Sequence, residues 1–170
     1  MDIPTLETDR LVFRGPTRDD FPDSAAMWGD PEVTRFIGGK PCTTEESWAR
    51  LCRNVGHWAV MGYGYWVVRD RSDRFVGEVG FATWKREMTP AIEAPEAGWV
   101  LATPSHGKGY ATEAVRAILA WGEARFGSPK SACIIDPGNA ASVRVAEKCG
   151  FVRQRDGIYR GSPTMMFVRA

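Results

Sequence analysis

The chain has 170 residues, of which 44% are hydrophobic and 25% are charged, and its formal net charge is +1. A chain of this length is expected to form one domain, residues 1–170, with a core that needs no disulfide or metal ion. The balanced charge argues against a nucleic-acid partner, and no apolar run is long enough to span a membrane. Because the first residues also lack the features of a secretory signal, we expect a cytoplasmic protein.

The cysteines predict free thiols. The chain contains no Cys-x-x-Cys pair, and only two histidines could assist the cysteines in binding a metal. Zinc sites usually draw on closely spaced pairs, so the spacing argues against a metal site. The four thiols are Cys42, Cys52, Cys133 and Cys149.

Capping signals place two helices after a first strand over 11–14. Each helix is preceded by a capping box, which is a hydroxyl residue followed three positions later by an acidic residue. Thr17 with Asp20 predicts a helix over residues 18–28, and Thr43 with Glu46 predicts a helix over residues 44–58. The apolar stripe of the second helix is expected at Trp48, Leu51, Cys52 and Val55.

Two strands over 65–68 and 75–84 should pair antiparallel, because the link between them is short. Gly77 and Gly80 interrupt the second strand, which indicates a bulge or the close approach of another backbone. The irregular, proline-containing segment 85–95 is expected to be an exposed loop.

Strands and helices alternate in the second half of the chain. Strands are predicted over 96–102, 131–135, 151–155 and 164–168, and helices over 110–126 and 139–149. Asn139 is expected to cap the last helix, and Gly150 to end it in the left-handed conformation.

A glycine-rich loop separates the strand over 96–102 from the helix over 110–126. Gly107 and Gly109 can adopt positive φ and let the backbone approach a ligand, and Lys108 between them adds a positive charge. A helix start presents free N–H groups and a positive dipole, so this stretch is suited to a phosphate, although an ordinary turn would have the same residues. The spacing fits neither the nucleoside-triphosphate P-loop nor the dinucleotide fingerprint, in which a glycine would replace Thr112.

Residues 107–114, Gly-Lys-Gly-Tyr-Ala-Thr-Glu-Ala, resemble the acetyl-CoA pyrophosphate loop of the GNAT superfamily of N-acetyltransferases. The similarity is greatest to the branch of ribosomal-protein N-terminal (RimJ/RimL-like) acetyltransferases. Three other stretches match that branch in the same order: residues 6–11, residues 30–36, and Asn139 with Ser142 through Gly150-Phe151.

The resemblance implies the GNAT fold, an α/β (α+β) architecture. Its central sheet is mixed but mostly antiparallel, has about seven strands, and is flanked by helices. Two central strands splay apart, and the resemblance places the splay between the strand over 96–102 and the strand before it.

The resemblance also implies that acetyl-CoA is the cosubstrate and that the pantetheine arm lies in the splay. The expected acetyl-CoA contacts are Trp99, Val100, Leu101, His106, Gly107, Lys108, Gly109, Tyr110, Ala111, Thr112, Asn139 and Ser142. Asn139 could instead serve only as a helix cap, and His106 could be a bystander, because a neutral histidine is a weak anion ligand.

The implied catalytic residues are Ser142, Glu96 and Glu78. Many GNAT enzymes carry a tyrosine general acid where this chain has Ala146, so the resemblance makes Ser142 the candidate proton donor to the sulfur of CoA. A small residue that only allows close helix packing is the alternative reading of Ser142. Glu78 and Glu96 are candidates for the base, although alternation along the strand points Glu78 either into the cleft or away from it.

The two N-terminal helices and the segment between them wall the acceptor site in this family. The candidate substrate-binding residues are Trp28, Phe36 and Trp84, each of which could also be an ordinary core side chain. The implied function is transfer of an acetyl group to a primary amine, on a protein N-terminus or a small molecule, by direct attack in a ternary complex. A CoA-binding or acyl-CoA-binding module without turnover is the alternative, and the sequence leaves a monomer or a homodimer open.

Overall fold

The computed structural model describes residues 2–128 and 130–170. The strands are β1 (Leu6–Glu7), β2 (Leu11–Arg14), β3 (Tyr65–Asp70), β4 (Phe75–Ala82), β5 (Met88–Thr89), β6 (Glu96–Leu101), β7 (Ser131–Ile135), β8 (Val152–Tyr159) and β9 (Ser162–Arg169). The helices are α1 (Phe21–Trp28), α2 (Pro31–Thr34), α3 (Thr44–Met61), α4 (Tyr110–Phe126) and α5 (Ala140–Lys148). Short 3-10 turns at Arg18–Asp20 and Thr103–Ser105 precede α1 and α4.

All nine strands of the described chain join one sheet in the order β1-β2-β3-β4-β6-β7-β9-β8-β5. Every pair is antiparallel except β6 with β7, where the crossover through α4 makes the strands parallel. The α/β class and the GNAT-type mixed sheet are confirmed. Seven strands have four or more residues, and the two additional strands, β1 and β5, have two residues each.

Helices cover both faces of the sheet. On one face, Phe81 of β4 packs against α4, with its ring centroid 6.5 Å from that of Trp121. Glu78 of the same strand is an odd number of residues away from Phe81 and therefore points to the other face, where it accepts hydrogen bonds from side chains of α1 and α3. Since side chains alternate along a strand, this arrangement separates an α4/α5 face from an α1/α3 face. No helix among the described residues is long and apolar enough to cross a membrane.

The capping prediction for α3 is confirmed, whereas the Thr17–Asp20 box opens the 3-10 turn Arg18–Asp20, and α1 itself begins only at Phe21. Glu46 accepts from the backbone N–H of Thr43 at 2.8 Å, while Thr43 Oγ1 accepts from the backbone N–H of Glu46 at 3.1 Å. Asp20 likewise accepts from the backbone N–H of Thr17 at 2.9 Å. Both boxes satisfy N–H groups that a helix start would otherwise leave without partners.

The predicted apolar stripe of α3 is wrong in part. Leu51 is buried as expected, but Trp48 is 42% exposed and Cys52 is exposed. The buried positions of α3 are Ser47, Leu51, Asn54 and Trp58. Asn54 can occupy this inward face because it has a hydrogen-bond partner there, the buried carboxylate of Glu78, whereas the buried hydroxyl of Ser47 has no partner among the described residues.

The predicted position of the splay is also wrong. Strands β4 and β6 pair without interruption, from Gly77 opposite Leu101 to Ala82 opposite Glu96. The strand that diverges from β6 is the one that follows it, since β6 and β7 share only the pair Glu96 and Ala132. The open wedge therefore lies between β6 and β7, beyond Glu96 and Ala132, because β6 is fully paired with β4 on its other edge.

The segment 85–95 is not purely an exposed loop. Met88 is 9% exposed, and the two-residue strand β5 pairs with Tyr159 and Ile158 of β8. The loop therefore closes the far edge of the sheet.

The glycines of β4 permit close backbone approach, as predicted. A Cβ atom at Gly80 would overlap the Gly64 carbonyl oxygen and lie 2.5 Å from the Cα atom of Tyr65. These are backbone atoms of the neighbouring strand, so they cannot rotate away.

We expect Gly80→Ala to lower the free energy of unfolding by about 1–3 kcal/mol or more, because the clash is with fixed backbone. Gly56→Ala is the matched control, since a Cβ atom there meets no heavy atom within 4 Å and the site lies within α3. The control should gain about 0.5–1 kcal/mol from helix propensity. Urea titration of both variants measures the two effects, and equal stabilities would contradict the strand spacing.

Candidate active site

The glycine loop leads from β6 into the first turn of α4. Gly107 and Gly109 have φ angles of +72° and +78°, as the sequence predicted. Residues 106–109 are exposed, and a Cβ atom at Gly107 would meet nothing within 4 Å. Within residues 2–128 and 130–170, no acceptor bonds the amide N–H groups of residues 107–112. The loop is therefore an open cradle of free N–H groups at the positive end of a helix.

A carboxylate holds this cradle to the N-terminal part of the chain. Glu113 accepts from Thr8 Oγ1 at 2.6 Å and from Arg10 Nε at 2.6 Å. Arg10 Nη1 also donates to the carbonyl oxygen of Lys108 at 2.9 Å, and its Cζ atom lies 4.7 Å from the Tyr110 ring centroid. Burial alone would raise the pKa of Glu113, but the hydrogen bonds from Thr8 and Arg10 outweigh burial and lower it. The stretches 6–11 and 107–114, which are distant in sequence, thus form one structural unit.

The strand edge beside the cradle is open because β6 and β7 diverge after their one shared pair. Trp99, Val100 and Leu101 lie on this part of β6, beyond the last contact with β7. His106 has a structural partner here: its Nε2 atom lies 2.8 Å from the Leu101 carbonyl oxygen. The ring of His106 therefore ties the loop to the end of β6.

The α2 segment links the two sides of the wedge. Asp30, which caps α2 through the backbone N–H of Glu32, also accepts from Thr103 Oγ1 at 2.6 Å, just after β6. Phe36, a half-buried side chain, lies beside Gly138 at the end of β7, where an added Cβ atom would come within 2.9 Å of its ring. Phe36 thus stands at the mouth of the wedge, whereas Trp28 is 3% exposed within the α1/α3 face.

Helix α5 begins on the other side of the wedge. Asn139 Oδ1 accepts from the backbone N–H of Ser142 at 3.1 Å, which confirms the predicted cap. This bond uses the backbone of Ser142 and leaves its hydroxyl, which is half-buried, for another partner. Ala146, in the position where many GNAT enzymes have a tyrosine, is 0% exposed and packs within the core between α4 and α5.

Glu78 points toward α1 and α3. Strand alternation alone did not determine which face of the sheet its side chain lies on. It is 2% exposed and accepts from Ser24 Oγ at 2.6 Å, Trp28 Nε1 at 3.2 Å and Asn54 Nδ2 at 3.2 Å. Burial raises the pKa of Glu78, and these hydrogen bonds together with the charge of Arg50 oppose only part of the rise. The carboxyl group is held rigidly by three neutral donors.

Glu96 lies on the same sheet face but has a charged partner. Its two carboxylate oxygens accept from Arg86 Nε at 2.7 Å and Nη2 at 2.8 Å, and the Glu96 residue is 6% exposed. Burial would lower the pKa of Arg86, but the bonds and charge of Glu96 raise it. Glu96 thus lies on the α1/α3 face of the sheet, where it is already engaged in a bidentate ion pair with Arg86.

The sequence reasoning missed Tyr65. Its hydroxyl lies directly over Gly98 of β6, where any Cβ atom would overlap it. Burial and then the charge of Glu96 raise the pKa of Tyr65, which keeps the hydroxyl protonated. The Trp84 ring, a predicted substrate contact, lies 6.1 Å from the Tyr65 ring, centroid to centroid. No pattern in the sequence marks Tyr65, because its position over Gly98 depends on the register of β3, β4 and β6.

The described residues contain no group of three or more histidine, cysteine, aspartate or glutamate side chains that could hold a metal ion. The site consists of an amide cradle, a wedge between strands, and a face with two buried carboxylates.

Comparison with known proteins identifies the family. Residues 10–152 match the family model described as "Acetyltransferase (GNAT) domain". The uncharacterized protein YkkB of Bacillus subtilis is 36% identical over 152 residues, which are 85% of this chain and 83% of that protein. A GNAT-family acetyltransferase from Bordetella pertussis has a TM-score of 0.86 and 30% identity, covering 99% of this chain and all of the other. The chain belongs to the GNAT acetyltransferase family, and it is an N-acetyltransferase.

More distant solved structures share the fold. RimL, a ribosomal α-N-protein acetyltransferase, has in complex with coenzyme A a TM-score of 0.78 at 16% identity, covering 98% of this chain and 97% of RimL. Spermidine N-acetyltransferase from Vibrio cholerae, in complex with CoA and spermine, has a TM-score of 0.73 at 18% identity, covering 95% and 94%. The predicted likeness to the RimJ/RimL-like branch is confirmed at the level of fold.

We expect Glu78→Gln to change the pH dependence of stability. Because the folded protein raises the pKa of Glu78, the folded state binds more protons than the unfolded state once the pH exceeds the ordinary glutamate value of about 4.3. The wild type should therefore lose stability relative to the glutamine variant as the pH rises from there to the folded-state pKa, and the difference should then level off. One proton limits the slope to about 1.4 kcal/mol per pH unit.

The measurement is the free energy of unfolding of both proteins from pH 4 to pH 9. Glutamine keeps an acceptor for Trp28 and Asn54 and can donate to the hydroxyl of Ser24, so the packing is preserved. A difference that is constant across this range would contradict the burial argument.

Proposed function

We propose that the chain, acting as a single domain, transfers an acetyl group from acetyl-CoA to a primary amine by direct attack in a ternary complex. One observation supports this above the others. The free amide N–H groups of residues 107–112 open onto the same end of β6 where the strand edge is exposed by the wedge. A diphosphate and an amide-containing arm, joined as in CoA, match these two features in chemistry and in order.

The residues present fit the cosubstrate. The cradle offers N–H donors and a helix dipole to the diphosphate, and the exposed Lys108 adds a positive charge. The edge of β6 at Trp99–Leu101 offers backbone groups to the pantetheine arm, and the side-chain amide nitrogen of Asn139 remains for it because only Oδ1 is used by the cap. We assign His106 to support of the loop, since its ring is already bonded to Leu101.

The reaction joins the amine nitrogen to the acetyl carbon and breaks the carbon–sulfur bond. The departing thiolate takes a proton, and we propose Ser142 as its donor, because the hydroxyl is not used by the Asn139 cap. The attacking nitrogen loses one proton to solvent as the amide forms, and Ser142 regains one proton from solvent, so the serine ends the reaction neutral. An alkyl thiol has a pKa of about 8.5, so its thiolate is a fair leaving group at neutral pH and needs only modest help.

The attacking amine must be neutral, and the described carboxylates are poorly placed to deprotonate a strongly basic one. Glu78 is enclosed by three donors, and Glu96 is engaged by Arg86. An α-amine, with a pKa of about 7.7–8.0, is partly neutral at pH 7 without assistance, whereas a lysine amine at about 10.4 is not. We therefore favour a weakly basic amine, with Glu78 or Glu96 acting at most through water.

The fold neighbours illustrate two classes of acceptor. RimL is named for acetylating a protein N-terminus, and the Vibrio cholerae enzyme is named for acetylating the polyamine spermidine. For this chain, both a protein N-terminus and a small-molecule amine are candidates, and free CoA released across a panel of amines tests them. Calorimetric binding of CoA without release of free CoA for any amine would favour a binding module without turnover.

We expect Gly107→Val to reduce affinity for CoA by roughly tenfold or more, because a side chain would obstruct donors that bond a charged group. The added side chain points into open space, so the loss should come from the ligand and not from packing. Isothermal titration calorimetry with CoA measures the effect.

Gly127→Val is the matched control. Gly127 also has a left-handed φ, +64°, also meets nothing within 4 Å, and ends the helix that the cradle begins. Both variants should lose stability by a similar amount, about 1–2 kcal/mol for a left-handed non-glycine residue. If both bind CoA as tightly as the wild type, the cradle does not hold the diphosphate.

We expect Ser142→Ala to lower kcat by up to about 100-fold, the lower range for a lost proton donor, with little change in KM for acetyl-CoA. The cap of α5 should survive, since Asn139 bonds the backbone N–H of residue 142 and not its hydroxyl. Steady-state kinetics measures the change, with circular dichroism as the check on folding. A kcat equal to that of the wild type would remove Ser142 from the chemistry.

A further inference from the structure

Two arginines of α3 lie on the α1/α3 face of the sheet, in the region formed by Trp28, Trp84, Glu78 and Glu96, which we call the acceptor cleft. Arg50 and Arg53 are three positions apart, so they are neighbours on one face of the helix. The Cζ atom of Arg50 lies 3.7 Å from the centroid of the Trp28 ring, and that of Arg53 lies 4.5 Å from the centroid of the Trp84 ring. Trp28 and Trp84, which were both predicted to bind the substrate, thus each have an arginine guanidinium group stacked on the ring.

The charges of Arg50 and Arg53 are only partly offset by the protein, since Arg50 acts through space on the carboxyls of Glu46 and Glu78 in the direction that lowers their pKa. Within residues 2–128 and 130–170, neither Arg50 nor Arg53 forms an ion pair, and the buried Nε of Arg50 has no hydrogen-bond partner. The carboxylates nearby are occupied by other groups: Glu78 by three neutral donors, and Glu96 by both arms of Arg86. The cleft therefore has three arginines and two carboxylates, and Glu78 is further disposed to protonation because burial raises its pKa.

The pKa of Arg53 agrees with this imbalance. Although the Arg53 residue as a whole is exposed, partial desolvation of its guanidinium group lowers the pKa most, and the like charges of Arg50 and Arg86 lower it further. An unpaired cation held against a ring and beside other cations gains from the arrival of an anion more than an isolated surface arginine would.

The groups around Arg53 are held in fixed positions. His57 Nε2 accepts from the backbone N–H of Thr83 at 3.0 Å, and its Nδ1 lies 2.6 Å from the Tyr63 carbonyl oxygen, so both ring nitrogens are engaged with backbone. The His57 ring packs 5.2 Å from that of Trp84, centroid to centroid. The Trp84 ring beneath Arg53 therefore packs on a His57 ring that is fixed to the end of β4, close to the Tyr65 hydroxyl over Gly98.

We propose that the acceptor is an amine that also carries a carboxylate within a few bonds, and that Arg53 and Arg50 bind this carboxylate. The inference rests on the proposed acetyl transfer and narrows its acceptor. Guanidinium groups bind carboxylates with paired, charge-assisted hydrogen bonds, and stacking on a ring leaves their N–H edges available. A polyamine, which would bring further positive charge to three arginines, is disfavoured. A free amino acid and a peptide with an acidic second residue share the required chemistry.

The test compares acceptors that differ only in the carboxylate. Glutamic acid α-amide against glutamine amide represents small molecules with a weakly basic α-amine, and serylglutamate amide against serylglutamine amide represents peptide N-termini. Within each pair the amine basicity is nearly equal, so the ratio of kcat/KM reports recognition of the carboxylate. We expect kcat/KM for the anionic member to exceed that for the neutral member by about tenfold or more in one pair, as for a hydrogen bond to a charged group. The pair that shows this ratio identifies the acceptor as a small molecule or as a peptide N-terminus.

Variants link the preference to the arginines. Arg53→Gln should lower kcat/KM for the anionic acceptor and bring the ratio toward one, and Arg53→Glu should move it below one and improve spermidine as an acceptor. Because Arg53 is exposed, neither change should impair folding. Arg18→Gln is the control, since Arg18 is an exposed arginine in the 3-10 turn before α1, outside the cleft, and its ratio should equal that of the wild type.

The outcomes separate this inference from the proposed function. Equal turnover of anionic and neutral members, or a ratio that Arg53→Gln leaves unchanged, would overturn the carboxylate inference while acetyl transfer stands. Failure of all four amines and of spermidine to release free CoA, despite binding of CoA in calorimetry, would overturn the proposed function and this inference with it.

Discussion

The two parts of the sheet meet at one parallel contact, and the geometry of the site depends on it. In the described chain, the part formed by β1 to β4 and β6 and the part formed by β7, β9, β8 and β5 are paired only where Glu96 lies opposite Ala132. Beyond this pair, β6 and β7 leave backbone groups that a sheet interior would have paired. The wedge exists because the chain returns from β6 through α4, and a parallel partner need not follow β6 along its whole length.

The start of α4 is placed beside this wedge by interactions distant in sequence. Glu113 receives donors from Thr8 and Arg10, so the strand hairpin at the N-terminus holds the first turn of the helix. Asp30 holds the other end of the loop through Thr103. These contacts use side chains around the loop and leave its own N–H groups free, which is the condition for an anion site.

The opposite face of the sheet has a different electrostatic character. There, one buried carboxylate is held by neutral donors, another by a single arginine, and two further arginines lie on tryptophan rings. The free N–H groups of residues 107–112 and the two ring-stacked arginines thus lie on different sides of one strand, β6.

The sequence by itself determined the elements and the cradle. Capping boxes, a helix-capping asparagine and glycines with positive φ are local signals, so Thr43 with Glu46, Asn139 and the Gly107–Gly109 pair were found without a structure. Tertiary structure decided everything that depends on register and on contacts between elements. It placed the wedge after β6, turned Asn54 and not Cys52 inward, and brought Tyr65 over Gly98. The physical reason is that a capping bond spans three residues, whereas the partner of a buried carboxylate is chosen by the packing of the whole sheet against its helices.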